Sequence, residues 1–125
     1  MFRNLQKTLV VVGALAALAV GCSNGSSPTN STGGGGKEFV SPTLNPGDSY
    51  QHAFMTAKTM NYFCSFHGTA TTGMHAMITV TAGGTPHLVQ SNIVTTALDT
   101  LNINVGDTIR WTNQTAMAHN VQSAI

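Results

Sequence analysis

Charge is what this sequence has least of. Only 7% of its 125 residues are Asp, Glu, Lys or Arg, and the formal net charge is +1. A chain so sparsely charged offers no basic stripe for a phosphate backbone, so nucleic acid is excluded as an expected partner. Aromatic residues are also scarce, at 6%, and the apolar residues show no helical periodicity and no repeat. Cysteine occurs only twice, at Cys22 and Cys64, which is too few for a disulfide framework. There is no nucleophile paired with a base and no Gly-rich phosphate loop, so no catalytic role is expected. What is abundant is Thr, Val, Ala and Gly, a composition that favours short strands joined by turns.

The amino-terminal residues read as an address rather than as part of a fold. Arg3 and Lys7 precede an apolar run over residues 8–20 that is short for a membrane span. The run closes on Ala19-Val20-Gly21-Cys22. This resembles the lipobox of bacterial lipoproteins, with Ala19 where a branched aliphatic is usual. The resemblance implies that residues 1–21 are a signal peptide and that Cys22 becomes a lipid-bearing amino terminus. The exported chain would then be anchored to a bacterial membrane, on its periplasmic or extracellular face. Ser23 after that Cys is compatible with outer-membrane sorting in a two-membrane host. Residues 22–37 are dominated by Ser, Thr, Asn, Gly and Pro, with no apolar residue from Ser23 to Lys37. Such a segment cannot offset its ordering entropy by burial and is expected to be a flexible tether.

Residues 38–125 read as one all-β domain. Strand-like alternation covers residues 50–55, 60–64, 74–81, 88–94, 100–105, 108–112 and 120–123. Turn or loop signals separate these stretches at 45–48, 57–59, 68–73 and 82–86. Turns at roughly eight-to-twelve-residue intervals are the pattern of a β-sandwich or barrel. A domain of roughly 90 residues buries only a modest core, so a bound metal would be a useful additional fastening.

Cys64 raises the question of function. If Cys22 carries lipid, Cys64 has no partner in the chain, and an unpaired thiol in an exported protein is a liability unless something occupies it. Its neighbourhood is Cys64-Ser65-Phe66-His67, followed after residues 68–73 by Met74. A thiolate, an imidazole and a thioether close together in sequence are ligands for a soft metal. One further imidazole, for which His119 is the candidate, would complete a His-His-Cys plane with a weak axial Met, the donor set that suits copper. His52 and His87 read as structural or surface residues, and Met55, Met60, Met77 and Met117 as core or rim.

Tyr62-Phe63-Cys64-Ser65-Phe66-His67 with Gly73-Met74 and Ile78-Thr79-Val80 resembles the carboxy-terminal half of a cupredoxin of the plastocyanin and azurin kind. Leu44 to Tyr50 resembles the stretch that precedes it in that family. Val105-Gly106-Asp107-Thr108-Ile109-Arg110-Trp111-Thr112-Asn113 with His119-Asn120-Val121 resembles the amino-terminal half. The halves stand in the reverse of the family's order, which implies a circularly permuted Greek-key cupredoxin sandwich. Residues 81–87 would join the family's natural termini, and Phe39 and Ile125 would lie near one another. The gap between His67 and Met74 is longer than is common in the family, leaving Met74 and the adjacent His75 as candidates for the axial position, with Met74 favoured. The resemblance implies a type 1 (blue) copper electron carrier holding one ion through Cys64, His67, His119 and Met74. The Asn120 amide would donate to the Cys64 sulfur, and its side chain would pin the ligand loops together. The resemblance further implies a transient redox partner docking near His67, against an apolar rim for which Ala70, Ala116 and Met117 are candidates, and a monomer. A copper-trafficking protein that holds and delivers Cu(I) is the alternative, and a structural zinc site is a third possibility.

Overall fold

The structure is a computed structural model. It describes residues 36–125, so the expected signal peptide, Cys22 and most of the tether lie outside the described residues. Seven strands follow in order: β1 (Ser49–Ala53), β2 (Lys58–Gly68), β3 (Gly73–Thr81), β4 (Leu88–Ile93), β5 (Leu101–Asn104), β6 (Thr108–Asn113) and β7 (Gln122–Ser123), with no helix among the described residues. They form two mixed sheets, one ordered β1-β6-β4 and the other β5-β3-β2-β7. The β4–β6 and β3–β5 pairs are parallel, and the remaining pairs are antiparallel.

The alternation in the sequence becomes the inside and outside of this sandwich. Met74, Ala76, Ile78 and Val80 are the buried residues of β3, and Ile109, Trp111 and Asn113 those of β6. The few aromatic residues are concentrated where the sheets face. Trp111 stacks on Phe39 at 5.0 Å and on Tyr50 at 5.9 Å, and Tyr62 lies 5.8 Å from it. Each such pair adds about 0.5–1.5 kcal/mol beyond its buried area, so a handful of rings can anchor a small core.

Two expected boundaries are corrected. Residues 57–59 read as a turn, but Lys58 and Thr59 already pair with Val80 and Thr79. The carboxy-terminal end of β2 runs beyond Cys64 to Gly68, which pairs with Gly73 across a register shift after Phe63. Alternating burial stops at Cys64, so the sequence carries no strand signal for the extension; it is held by the Asn120 side chain at Ser65 and by the Gly68–Gly73 pairing.

The segment before β1 is integral to the fold. Phe39 and Leu44 are fully buried, and residues 39–44 run antiparallel to residues 119–123. Ser123 N–H donates to the Phe39 carbonyl at 3.0 Å, Ser41 N–H to Val121 at 2.9 Å, and Leu44 and His119 exchange both backbone bonds at 2.7 and 3.0 Å. The beginning and end of the domain are therefore directly paired, and Gly36 approaches the Ile125 side chain.

His52 is more deeply placed than its sequence context indicates. It is buried against Phe39 and edge-on to Phe54, with its Nε2 3.4 Å from the Glu38 carboxylate, which also pairs with Lys58. Burial lowers its pKa; the bond and charge of Glu38 oppose this only in part, and Lys58 lowers it further. The folded state therefore takes up the proton later than the unfolded chain as pH falls. Stability should be intact above the unfolded value of about 6.5 and decline as pH falls through it to the depressed folded value. Denaturant midpoints of the metal-free protein between pH 8 and pH 5 should show this decline, and His52→Gln should reduce its slope. An unchanged slope would assign the effect to another group.

Candidate metal centre

Three loops converge at one end of the sandwich, at residues 45–48, 69–72 and 114–118. Cys64 lies at the inner face of β2, fully buried and without a disulfide partner among the described residues. His67 stands further along the same strand, and His119 is held beside it by its backbone pairing with Leu44. Across the gap the Cys64 Sγ lies 3.5 Å from His67 Nδ1 and 3.7 Å from His119 Nδ1, with the two imidazole rings 4.7 Å apart. One donor atom from each of the three falls within 4.8 Å of the others, so Cys64, His67 and His119 form a group that could hold a metal ion.

The separations suit a shared ion. Nitrogen and sulfur donors at roughly 2.0–2.1 and 2.3 Å from one centre, at tetrahedral to trigonal angles, stand roughly 3.5–3.8 Å apart. Burial, reinforced by the charge of His67, lowers the His119 pKa, which keeps that imidazole neutral and its lone pair available near neutral pH.

Met74 and His75 separate cleanly. Phe63 pairs with His75, and the next inward-facing residues on the two strands are Cys64 and Met74, both in the hydrophobic core. His75 lies exposed on the outer face, where its Nδ1 is 3.0 Å from the Gly73 carbonyl. The long gap after His67 is taken up by a closed hairpin. Gly68 pairs with Gly73, and Thr69 N–H donates to the Thr72 carbonyl at 2.8 Å. The extra residues project outward, and β3 starts with Met74 facing in.

Asn120 ties the two ligand-bearing segments together. Its N–H donates to Cys64 Sγ at 3.4 Å. Its side-chain oxygen accepts from Ser65 N–H at 2.8 Å, and its amide nitrogen lies 2.9 Å from Ser65 Oγ. At the rim, Ala116 and Met117 are exposed and Ala70 is half-buried. Phe66, which sequence reasoning passed over as a spacer, is half exposed, with its ring 6.5 Å from that of half-buried His67. Thr115 and Asn113 were also missed, although Thr115 Oγ1 lies 2.9 Å from His119 Nε2. The Thr-x-x-x-His spacing was the only signal available for that contact, and it is too common to mean anything alone. His87 sits outside the site, 2.9 Å from the buried Asp107 carboxylate at the opposite end of β6.

Comparison with protein-family models, curated proteins and solved structures finds no match to this chain. Its chemistry is therefore argued from its own residues.

Proposed function

We propose that this chain is a one-electron carrier whose copper ion is held by Cys64, His67 and His119, with the Met74 thioether as a weak axial donor. The observation that carries the reading is the donor set: one cysteine sulfur and two imidazole Nδ1 atoms at mutual reach, backed by an inward-facing Met. Two His and one Cys with a weak Met are the ligands of electron-transfer copper sites. Copper bound there would supply a one-electron couple between Cu(II) and Cu(I).

The residues of the chain set the conditions for that couple. Pairing of β2 with β3 and the backbone bonds of His119 fix the donors before metal arrives, which limits rearrangement between oxidation states. The Asn120 N–H draws electron density from the Cys64 sulfur, a contact of the kind that tunes a potential. Burial keeps water from Cys64 and His119, while His67 is the one ligand of the three that reaches solvent. A redox partner would meet the ring edge of His67, beside exposed Phe66 and with Met117 at the rim. A weakly charged, apolar face of this sort suits brief encounters.

In this reading the domain is a circularly permuted cupredoxin. The direct pairing of residues 39–44 with 119–123 supports the permutation, because it brings the two ends of the domain side by side. A lipid on Cys22 would hold the domain at a membrane surface.

The test is the visible spectrum of the copper-loaded, oxidised protein. An intense thiolate-to-copper band that vanishes in Cys64→Ala is expected. Its absence from the wild type, or its survival in that variant, would sink the proposal and leave zinc as the ion the same separations accommodate. Reversible redox cycling without metal loss is the second expectation; rapid loss of Cu(I) to a chelator would point to trafficking instead.

A further inference from the structure

The hydrogen bonds behind His119 determine which of its nitrogens is free to bind metal. The network begins at two backbone carbonyls. Asn113 is fully buried, and its side-chain nitrogen lies 2.9 Å from the Leu44 carbonyl oxygen and 2.7 Å from that of Met117. Carbonyl oxygens only accept, so the amide NH2 must face them, and the Asn113 Oδ1 must face the other way. That oxygen accepts from Thr115 N–H at 2.9 Å and lies 2.8 Å from Thr115 Oγ1.

The Thr115 hydroxyl has a single proton. Three acceptors face it: Asn113 Oδ1 at 2.8 Å, the Met117 carbonyl at 3.0 Å and, if it is bare, His119 Nε2 at 2.9 Å. Given to Nε2, the proton would leave two close oxygen–oxygen contacts with no hydrogen between them, since neither oxygen has one to give; given to either oxygen it leaves only one, so the network favours the oxygen side. The lone pairs of Oγ1 are left for Met117 N–H at 3.2 Å and for His119 Nε2 at 2.9 Å. A hydroxyl oxygen that has given its proton to an oxygen can only accept from the imidazole, and Nε2 then carries the hydrogen. A neutral imidazole has one N–H and one bare nitrogen. The bare one is Nδ1, which faces Cys64 Sγ.

We propose that Asn113 and Thr115 are positioning residues that fix His119 as the Nε2–H tautomer and so present its Nδ1 lone pair to a metal ion held with Cys64. The proposal rests on His119 being a ligand. It adds that the ligating state is written into the metal-free protein by a relay that starts from the Leu44 and Met117 carbonyls. Partners outside the ligands commonly set ring orientation and tautomer in this way, and their removal typically costs 10–100-fold in metal affinity.

Two measurements decide it. In the metal-free wild type, nitrogen-15 NMR of the His119 ring above its pKa should show hydrogen on Nε2 and a bare Nδ1. Hydrogen on Nδ1 would overturn the proposal, whatever metal the site prefers, so its failure is distinguishable from failure of the copper reading. Next, Thr115→Val keeps the shape of the side chain and removes the hydroxyl, and copper affinity should fall roughly tenfold or more. Thr115→Ser, which restores the hydroxyl, should recover most of that loss. Wild-type affinity in Thr115→Val, or no recovery in Thr115→Ser, would overturn the proposal.

Discussion

Copper-loaded protein should melt about 15–30 °C above the metal-free form when free ion exceeds the dissociation constant a thousandfold. A ligand that binds only the native state adds about 4 kcal/mol under those conditions. In a domain of this size each kcal/mol moves the melting temperature by about 4–8 °C. The size of the gain is set by the ratio of free ion to dissociation constant, and its structural effect is an added cross-link between segments that are already paired. β7 has only two residues, paired with Tyr62 and Phe63 of β2, and bonds such as Val121 N–H to Ser41 Oγ, Ser123 N–H to Phe39 and Ala124 N–H to Asn61 flank that pairing. A shared ion would clamp His119, just ahead of that strand, to Cys64 on β2. Amide exchange at residues 121–124 should therefore slow on loading. Both Cys and His must be deprotonated to bind, so the gain should shrink as pH falls. An equal thermal shift in Cys64→Ser would place the ion elsewhere, and identical exchange rates at residues 121–124 would disprove the clamp.

Gly73→Ala should damage the centre out of proportion to the size of a methyl group. Gly73 has φ +69°, where an L residue costs about 1–2 kcal/mol. A Cβ there would also run into the His67 carbonyl oxygen and lie 2.9 Å from the Gly68 Cα. These are backbone atoms of the opposite strand, and relief requires the segment bearing His67 to move. A ligand displaced in this way should lose roughly 10–100-fold in copper affinity, the range seen when a ligand's support is removed. Gly83→Ala provides the matched control. Its φ is +98°, but nothing lies within 4 Å of the added carbon. It should lose only the stability that the backbone angle costs, while keeping the visible band and the affinity. If the two variants bind copper equally well, the hairpin does not position His67.

The contrast between those glycines reflects how much of the molecule was legible beforehand. Strands with an inner and outer face could be read directly, because burial writes itself into the alternation of 74–81 and 108–112. Cys64, His67 and His119 were legible for a chemical reason: thiol and imidazole are rare, and a thiol without a partner calls for an explanation. The second half of β2 was not, because residues 65–68 are held by the distant Asn120 side chain and by the Gly68–Gly73 turn, neither of which needs an apolar pattern. His52 could have been found, since it shares inward parity with Tyr50 and Phe54, yet a polar residue at an inward position is ordinarily read as a boundary. The relay through Asn113 and Thr115 was beyond reach. Its logic depends on which oxygen faces which nitrogen, and that is set only when Leu44 and Met117 arrive at the same place.

Fifty-five residues of chain separate Cys64 from His119, the partner across the cluster. A polypeptide that emerges amino end first therefore presents its thiol with one imidazole long before the second exists. The strand beneath His119 must also wait to join residues 39–44, which are made at the other extreme of the domain. Closure of the cluster therefore requires nearly the whole domain to have been made. A chain cut short anywhere before residue 119 lacks both the donor and the closing strand, so a complete Cys64–His67–His119 group certifies that nearly the whole domain has been delivered.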